Sequence, residues 1–180
     1  MMKKLIVLAL ILALLALPFA ALAEDNYEAA NYEILKQVMD ALELDYEVID
    51  EYKMTSVAIP AGEDFTENIY VEGFAWDTAV EFDAYYDFSV PEDRIVEVSV
   101  LLTWLNYERI WQGRAYLNRK SGEVGFNAMT YSGEEQPANA AAVLDTLYTA
   151  AGNASYYGEA IYRVAVGGED AETVIAEIGE

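Results

Sequence analysis

Thirty-two carboxylates and fourteen tyrosines, with no histidine and no cysteine, define the chemistry open to this chain of 180 residues. Without His or Cys there is no Ser-His-Asp or Cys-His nucleophile and no imidazole proton shuttle. The usual zinc, haem and iron–sulfur ligand sets are missing too. Carboxylate chemistry remains. Glu72, Glu81 and Asp83 fall on strand-like segments with aromatics beside them. A glycan hydrolase could use such acids, one to protonate the leaving group and one to attack or activate water. Alternating acids on a strand are also its ordinary solvated face, and that reading is the stronger one. Calcium takes oxygen ligands, and Glu63-Asp64, Glu134-Glu135 and Glu169-Asp170 are loop acids, but no EF-hand or repeat loop accompanies them. The residues therefore assign no catalytic group, no cofactor and no metal site.

Tyrosine suits surfaces that must be apolar and wet at once. Tyr85, Tyr107, Trp111 and Tyr116 gather around the middle of the chain and are the candidate binding residues, anchors for an unknown protein partner or for a second copy in a dimer. The competing account packs them between helix and sheet, with each hydroxyl reaching water. Arg109, Arg114, Arg119 and Lys120 also fall close together. They could receive an acidic partner or the acidic face of a second copy, and ion pairs with neighbouring Glu are the simpler account. A net charge of −22 argues against nucleic acid or an anionic membrane as partner, because phosphate contacts need clustered Lys and Arg.

Lys3 and Lys4, the apolar run Leu5 to Leu17, Pro18 and then Ala21-Leu22-Ala23 have the order of a signal peptide, with cleavage expected after Ala23. Its removal leaves 157 residues with eight basic groups against 32 acids, a mature charge of −24. That length fits one α+β domain, 24–180, secreted or periplasmic, held by packing rather than disulfides. No later apolar run approaches the ~20 residues that span a bilayer.

The elements that must position these side chains follow from periodicity. Asp25 and Glu28 form a capping box for a helix whose stripe is Tyr27, Ala30, Ile34, Leu35, Val38 and Leu42. From Tyr46 the period changes to 2. Short strands are expected through Tyr52 and at Val57 to Ile59, followed by a turn-rich stretch from Pro60 to Asn68. A strand over Ile69 to Trp76 then turns at Asp77-Thr78 into Val80 to Phe88, which carries an acidic outer face. Residues 89–106 alternate like a strand and also fit a helix. Ser89 with Glu92 as a capping box, and Pro91 in the first turn, assign helix. A hairpin follows, Arg114 to Asn118 and Glu123 to Tyr131, with Gly122 supplying positive φ in its turn. Pro137 opens a helix that stops at Gly152. Another runs from Ser155 to Val166, and Asp170 caps a last one through Ile178. The fold class is α+β: a single antiparallel sheet of about five strands with helices packed on it, in the order α-β-β-β-α-β-β-α-α.

That order resembles the YbjN-type domain, a bacterial sensory transduction regulator family whose fold is similar to type III secretion chaperones. The residues that carry the likeness are Asn106-Tyr107-Glu108 closing the middle helix, Gly113 before the hairpin, Leu117 and Gly122 at its turn. Tyr156-Tyr157, Ile161, Val164 and Gly167-Gly168 carry it further, and it runs from about Tyr27 to about Ile178. It implies a binding or regulatory role through protein association and no active site. The expected function is an exported, acidic, non-enzymatic module. The alternative is a carboxylate-based glycan hydrolase or carbohydrate-binding protein of the cell envelope.

Overall fold

The change of hydrophobic period from about 3.6 to 2 after the first helix is reflected in the fold, a helix followed by strands. The computed structural model describes residues 27–63, 65–133 and 136–179. The signal segment and its cleavage point, Asp25 of the first capping box, and the loop acids Asp64, Glu134 and Glu135 lie outside the described residues. The elements are α1 (Tyr27–Ala41), β1 (Glu47–Ile49), a 3-10 turn (Asp50–Tyr52), β2 (Met54–Glu63), β3 (Thr66–Ala75) and β4 (Ala79–Tyr86). A second 3-10 turn (Glu92–Arg94), α2 (Ile95–Glu108), β5 (Arg114–Leu117), β6 (Val124–Tyr131), α3 (Ala140–Ala165) and α4 (Ala171–Gly179) complete the described chain. The strands form one antiparallel six-stranded sheet in the order β1-β2-β3-β4-β6-β5. Among the described residues no helix is long and apolar enough to cross a membrane.

The α+β class and the single antiparallel sheet match the sequence reading, while the strand count and four boundaries do not. Six strands replace about five, and four of them rather than three precede α2: the two short strands expected in the 46–59 region both form, but the first stops at Ile49, and residues 50–52 are a 3-10 turn with Lys53 at φ 50° where the chain reverses. The expected turn at 60–68 is mostly strand: β2 runs through Pro60 to Glu63 and β3 begins at Thr66. The β1 register ends at Ser56, so that side of β2 is open at Pro60 and the missing N–H breaks no pairing with β1. Residues 95–108 are helical, but Ser89 and Glu92 form no capping box. Pro91 precedes the 3-10 turn, and neither that turn nor α2 has a side-chain cap. Nor does Pro137 open α3. Asn139 caps it through Ala141 N–H at 2.9 Å, and the helix runs unbroken past Gly152. A glycine inside a helix costs about 1 kcal/mol, and the burial of Ala150, Ala154, Ile161 and Val164 offsets it.

Two compact units make up the described chain. One comprises residues 27–57, 72–82 and 129–147, the other residues 58–71, 83–128 and 148–179. In the first, α1 buries Ala30, Ile34, Leu35, Val38 and Met39. Gly73 admits the helix closely, since a Cβ there would stand 2.8 Å from Leu35 Cδ1 and from Phe82 Cε1. Asn31, wholly buried, donates to Trp76 O at 2.7 Å and Ser132 Oγ at 2.9 Å, and accepts from Ala138 N–H at 2.8 Å. In the second unit, β4 and β6 bury Ala84, Tyr86, Val124, Phe126 and Ala128. The Tyr86 hydroxyl donates to Ala154 O on α3 at 2.8 Å, and burial pushes its pKa far up.

Candidate functional site

Helix α2 sits in the second unit and is apolar on nearly every side. Val98, Leu101, Leu102 and Leu105 are buried. On the opposite side Val96 is 72% exposed, Val100 39% and Tyr107 85%. Soluble helices normally carry one apolar stripe, and a helix apolar all round is normally covered all round. The polar residues of the outer side do not relieve this. Ser99 donates its hydroxyl to Ile95 O and Thr103 to Ser99 O, each at 2.7 Å, a back-bonding that leaves their aliphatic carbons outward.

Two neighbours border this face. On one side the Asn106 amide pairs with β5 as a strand backbone would, donating to Ala115 O at 3.0 Å and accepting from Ala115 N–H at 2.7 Å. On the other side α4 is fastened at both ends. Asp170 caps it through Thr173 N–H at 3.0 Å, and Ala171 N–H donates to Glu97 Oε2 at 3.4 Å. Arg109, lying over the Trp104 ring at 5.3 Å, donates to Ile178 O and Gly179 O. Arg163 grips Glu169 through two nitrogens and Glu177 through one, at 2.6 to 2.8 Å. These bonds raise the Arg163 pKa and hold the Glu169 carboxyl below the usual range. Between the borders lies a shallow groove of about 510 Å³, floored by Val96, Val100, Trp104, Tyr107 and Ile175, with Arg119 and Glu172 in its walls.

The four expected binding residues fall in different places. Tyr107 lines the groove. Trp111, 94% exposed, stands on the connection between α2 and β5 outside the lining. Tyr85 and Tyr116 lie on the outer face of the sheet, both half-buried. Tyr85 stacks on Tyr70 with ring centres 5.7 Å apart. Tyr116 pairs in register with Gly125, where a Cβ would crowd Tyr85 at 3.0 Å, and its hydroxyl donates to Glu123 at 3.2 Å. Burial first, then the charges of Asp83 and Glu123, push its pKa far up. Sequence reasoning missed Val96, Val100, Ile175 and Glu172. The signal was present in α2, whose apolar residues fit both a strand's alternation and a helical stripe and so leave apolar positions over in either reading.

Glu81 accepts from Trp76 Nε1 at 2.9 Å and Asp83 from Asn127 Nδ2 at 2.6 Å, while Glu72 is half-buried on β3. Arg109 binds the carbonyl end of α4. Among the described residues, none of Arg109, Arg114, Arg119 and Lys120 takes part in an ion pair; the pairs found are Lys36–Glu33, Arg163–Glu169 and Arg163–Glu177. The expected internal pairing of these four with neighbouring Glu is therefore not seen. No group of three or more acids among the described residues could hold a metal ion. No protein-family model, curated protein or solved structure matches this chain.

Proposed function

We propose that this protein is an exported, acidic, non-enzymatic binding or regulatory module, similar in fold to the YbjN-type domain, that works through protein–protein association. The observation that carries this reading is the outer face of α2. There, Val96, Val100 and Tyr107 remain in water along one side of a helix whose other side is core. Exposed apolar surface costs free energy in water, about 25 cal/mol for each Å² that a partner would cover. A contiguous patch of this kind marks an interaction surface more often than an isolated exposed residue does. The basic, apolar and small-residue order of residues 3–23 supports export. The absence of His and Cys from the sequence supports a non-enzymatic role.

Light scattering together with capture on immobilised protein tests the reading. Wild type is expected to self-associate or to retain a partner from an envelope fraction, and Tyr107→Ser to lose at least about tenfold in that association, the order of one aromatic anchor. Association unaffected by Tyr107→Ser would remove α2 from the account. A chain that stays monomeric and retains nothing would end it.

A further inference from the structure

Building on the association reading above, we propose that the occupant of the α2 face is a second copy of this chain, joined in a parallel two-fold dimer with α2 against α2. The outward residues Val96, Val100, Thr103 and Tyr107 are spaced four, three and four apart, the spacing of a seam between two supercoiled helices. The Thr103 hydroxyl, at the polar position of that seam, is already bonded within its own helix, so closing the seam does not strand it.

The walls choose the partner and its direction. Successive helical residues turn by about 100°, so Asn106 lies about 180° round the helix from Glu97. Asn106 binds β5 and Glu97 binds the start of α4. The β5–β6 turn with Arg119 therefore borders one side of the face, and α4 with Glu172 borders the other. Both lie toward the N-terminal half of α2. The β5–β6 turn ends at Gly122, whose carbonyl accepts from Val90 N–H at 2.7 Å, just ahead of the helix. Glu172 follows Ala171, the residue bonded to Glu97.

A two-fold axis running along the helices sets Arg119 of each copy opposite Glu172 of the other, twice. An antiparallel pairing keeps both Arg119 on one side of the seam and both Glu172 on the other, at opposite ends, so that no Arg119 faces a Glu172. An interface between identical copies must be self-complementary in this sense, and among the described residues neither Arg119 nor Glu172 is in an ion pair. The net charge of −22 opposes association at long range, but salt at about 0.15 M screens charges beyond roughly 8 Å. The contact seam then decides.

The test is a charge exchange read by light scattering on the purified chain at about 0.15 M salt. Wild type is expected to have the mass of a dimer. Arg119→Glu or Glu172→Arg alone sets two like-charge contacts across the seam and weakens dimerisation about tenfold. The double variant restores it to within about threefold of wild type on the same energetic scale. Val100→Asp, with an unchanged circular dichroism spectrum, is expected to be monomeric. A wild-type monomer, a double variant as weak as the single ones, or a Val100→Asp dimer would each overturn the proposal. A monomer that retains a different protein through Tyr107 would overturn the dimer and leave the association reading standing. A monomer that retains nothing would remove both.

Discussion

Asn31 and the outer face of α2 are opposite solutions to the burial of unlike groups. Asn31 is an amide in the middle of an apolar helix stripe, wholly buried, and each polar end of its side chain has found a partner. A buried polar group so paired fixes a unique arrangement, because any slip leaves donors and acceptors without water or protein to meet them. The face of α2 is the reverse: apolar side chains in water on a helix whose other side is core. The first region spends polarity on internal order, and the second leaves apolar surface for something outside the chain. The lesson is that the residues out of keeping with their surroundings are the informative ones, and the partners of each say whether it serves the fold or an encounter.

The sharpest way to break that comparison is Asn31→Leu. The substitution keeps the branched heavy-atom outline at a larger volume, removes one acceptor and two donors, and orphans Ala138 N–H and Trp76 O. Each buried group left unpaired costs about 1 to 3 kcal/mol. We expect urea denaturation to show a loss of about 3 kcal/mol with the m-value unchanged. A loss below about 1 kcal/mol would mean that water reaches the site and that Asn31 is no hub. Gly73→Ala comes next. Its new Cβ would stand within 2.9 Å of Leu35, Phe82 and Thr55 atoms, and overpacking of this degree costs about 2 kcal/mol. A neutral outcome would show that α1 can move away from β3 freely, and with it that the polar hub does not fix the helix.

How much of this was legible beforehand differs between the same two regions. The stripe of α1, the antiparallel sheet, the Asp77-Thr78 turn and the acidic outer face of β4 follow from hydrophobic period alone, since each has one wet side and one dry side. Asn31 did not stand out, because a single amide in a helix reads as surface until its three distant partners are known, and those lie 45 to 107 residues away in sequence. The continuity of α3 through Gly152 was hidden for a related reason. Local propensity favours a break, and burial further along the helix decides against it. In α2 the ambiguity between strand and helix was itself the sign of a second apolar side, but only the fold separates Val98 and Leu102 from Val96 and Val100. Tyr107 and Trp111 were both named from residue type, and only Tyr107 lines the groove. Arg119 and Glu172 came together only through the tertiary placement of the hairpin turn and α4.

Arg163→Ala gives a smaller effect, in the exposed ion-pair network that fastens α4. The Glu169 carboxyl is held below its ordinary value of 4.5 by Arg163. Its contribution to stability is therefore complete above about pH 4.5 and lost as pH falls through the lower folded-state value. The difference in melting temperature between wild type and Arg163→Ala should be modest at neutral pH, less than that of Gly73→Ala, and should shrink on acidification. A difference that grows below pH 4.5 would mean that Arg163 acts through packing of its aliphatic stem on α4, as the apolar side of the comparison would have it.

The smallest stability effect is the one that sharpens the comparison most. Val96→Asp puts a charge on the apolar face, at a side chain 72% exposed in the first turn of α2. There the helix dipole favours a negative group by about 0.3 to 1 kcal/mol, offsetting whatever contact the isopropyl group makes with Ile175 across the groove. We expect the unfolding free energy to stay within about 0.5 kcal/mol of wild type. Asn31→Leu makes a side chain more apolar and damages the fold. Val96→Asp makes one more polar, leaves the fold intact, and should still abolish the association read by light scattering. If Val96→Asp instead destabilised the monomer by as much as Gly73→Ala, the outer face of α2 would be part of the chain's own core, and its exposed side chains would need an explanation within the fold.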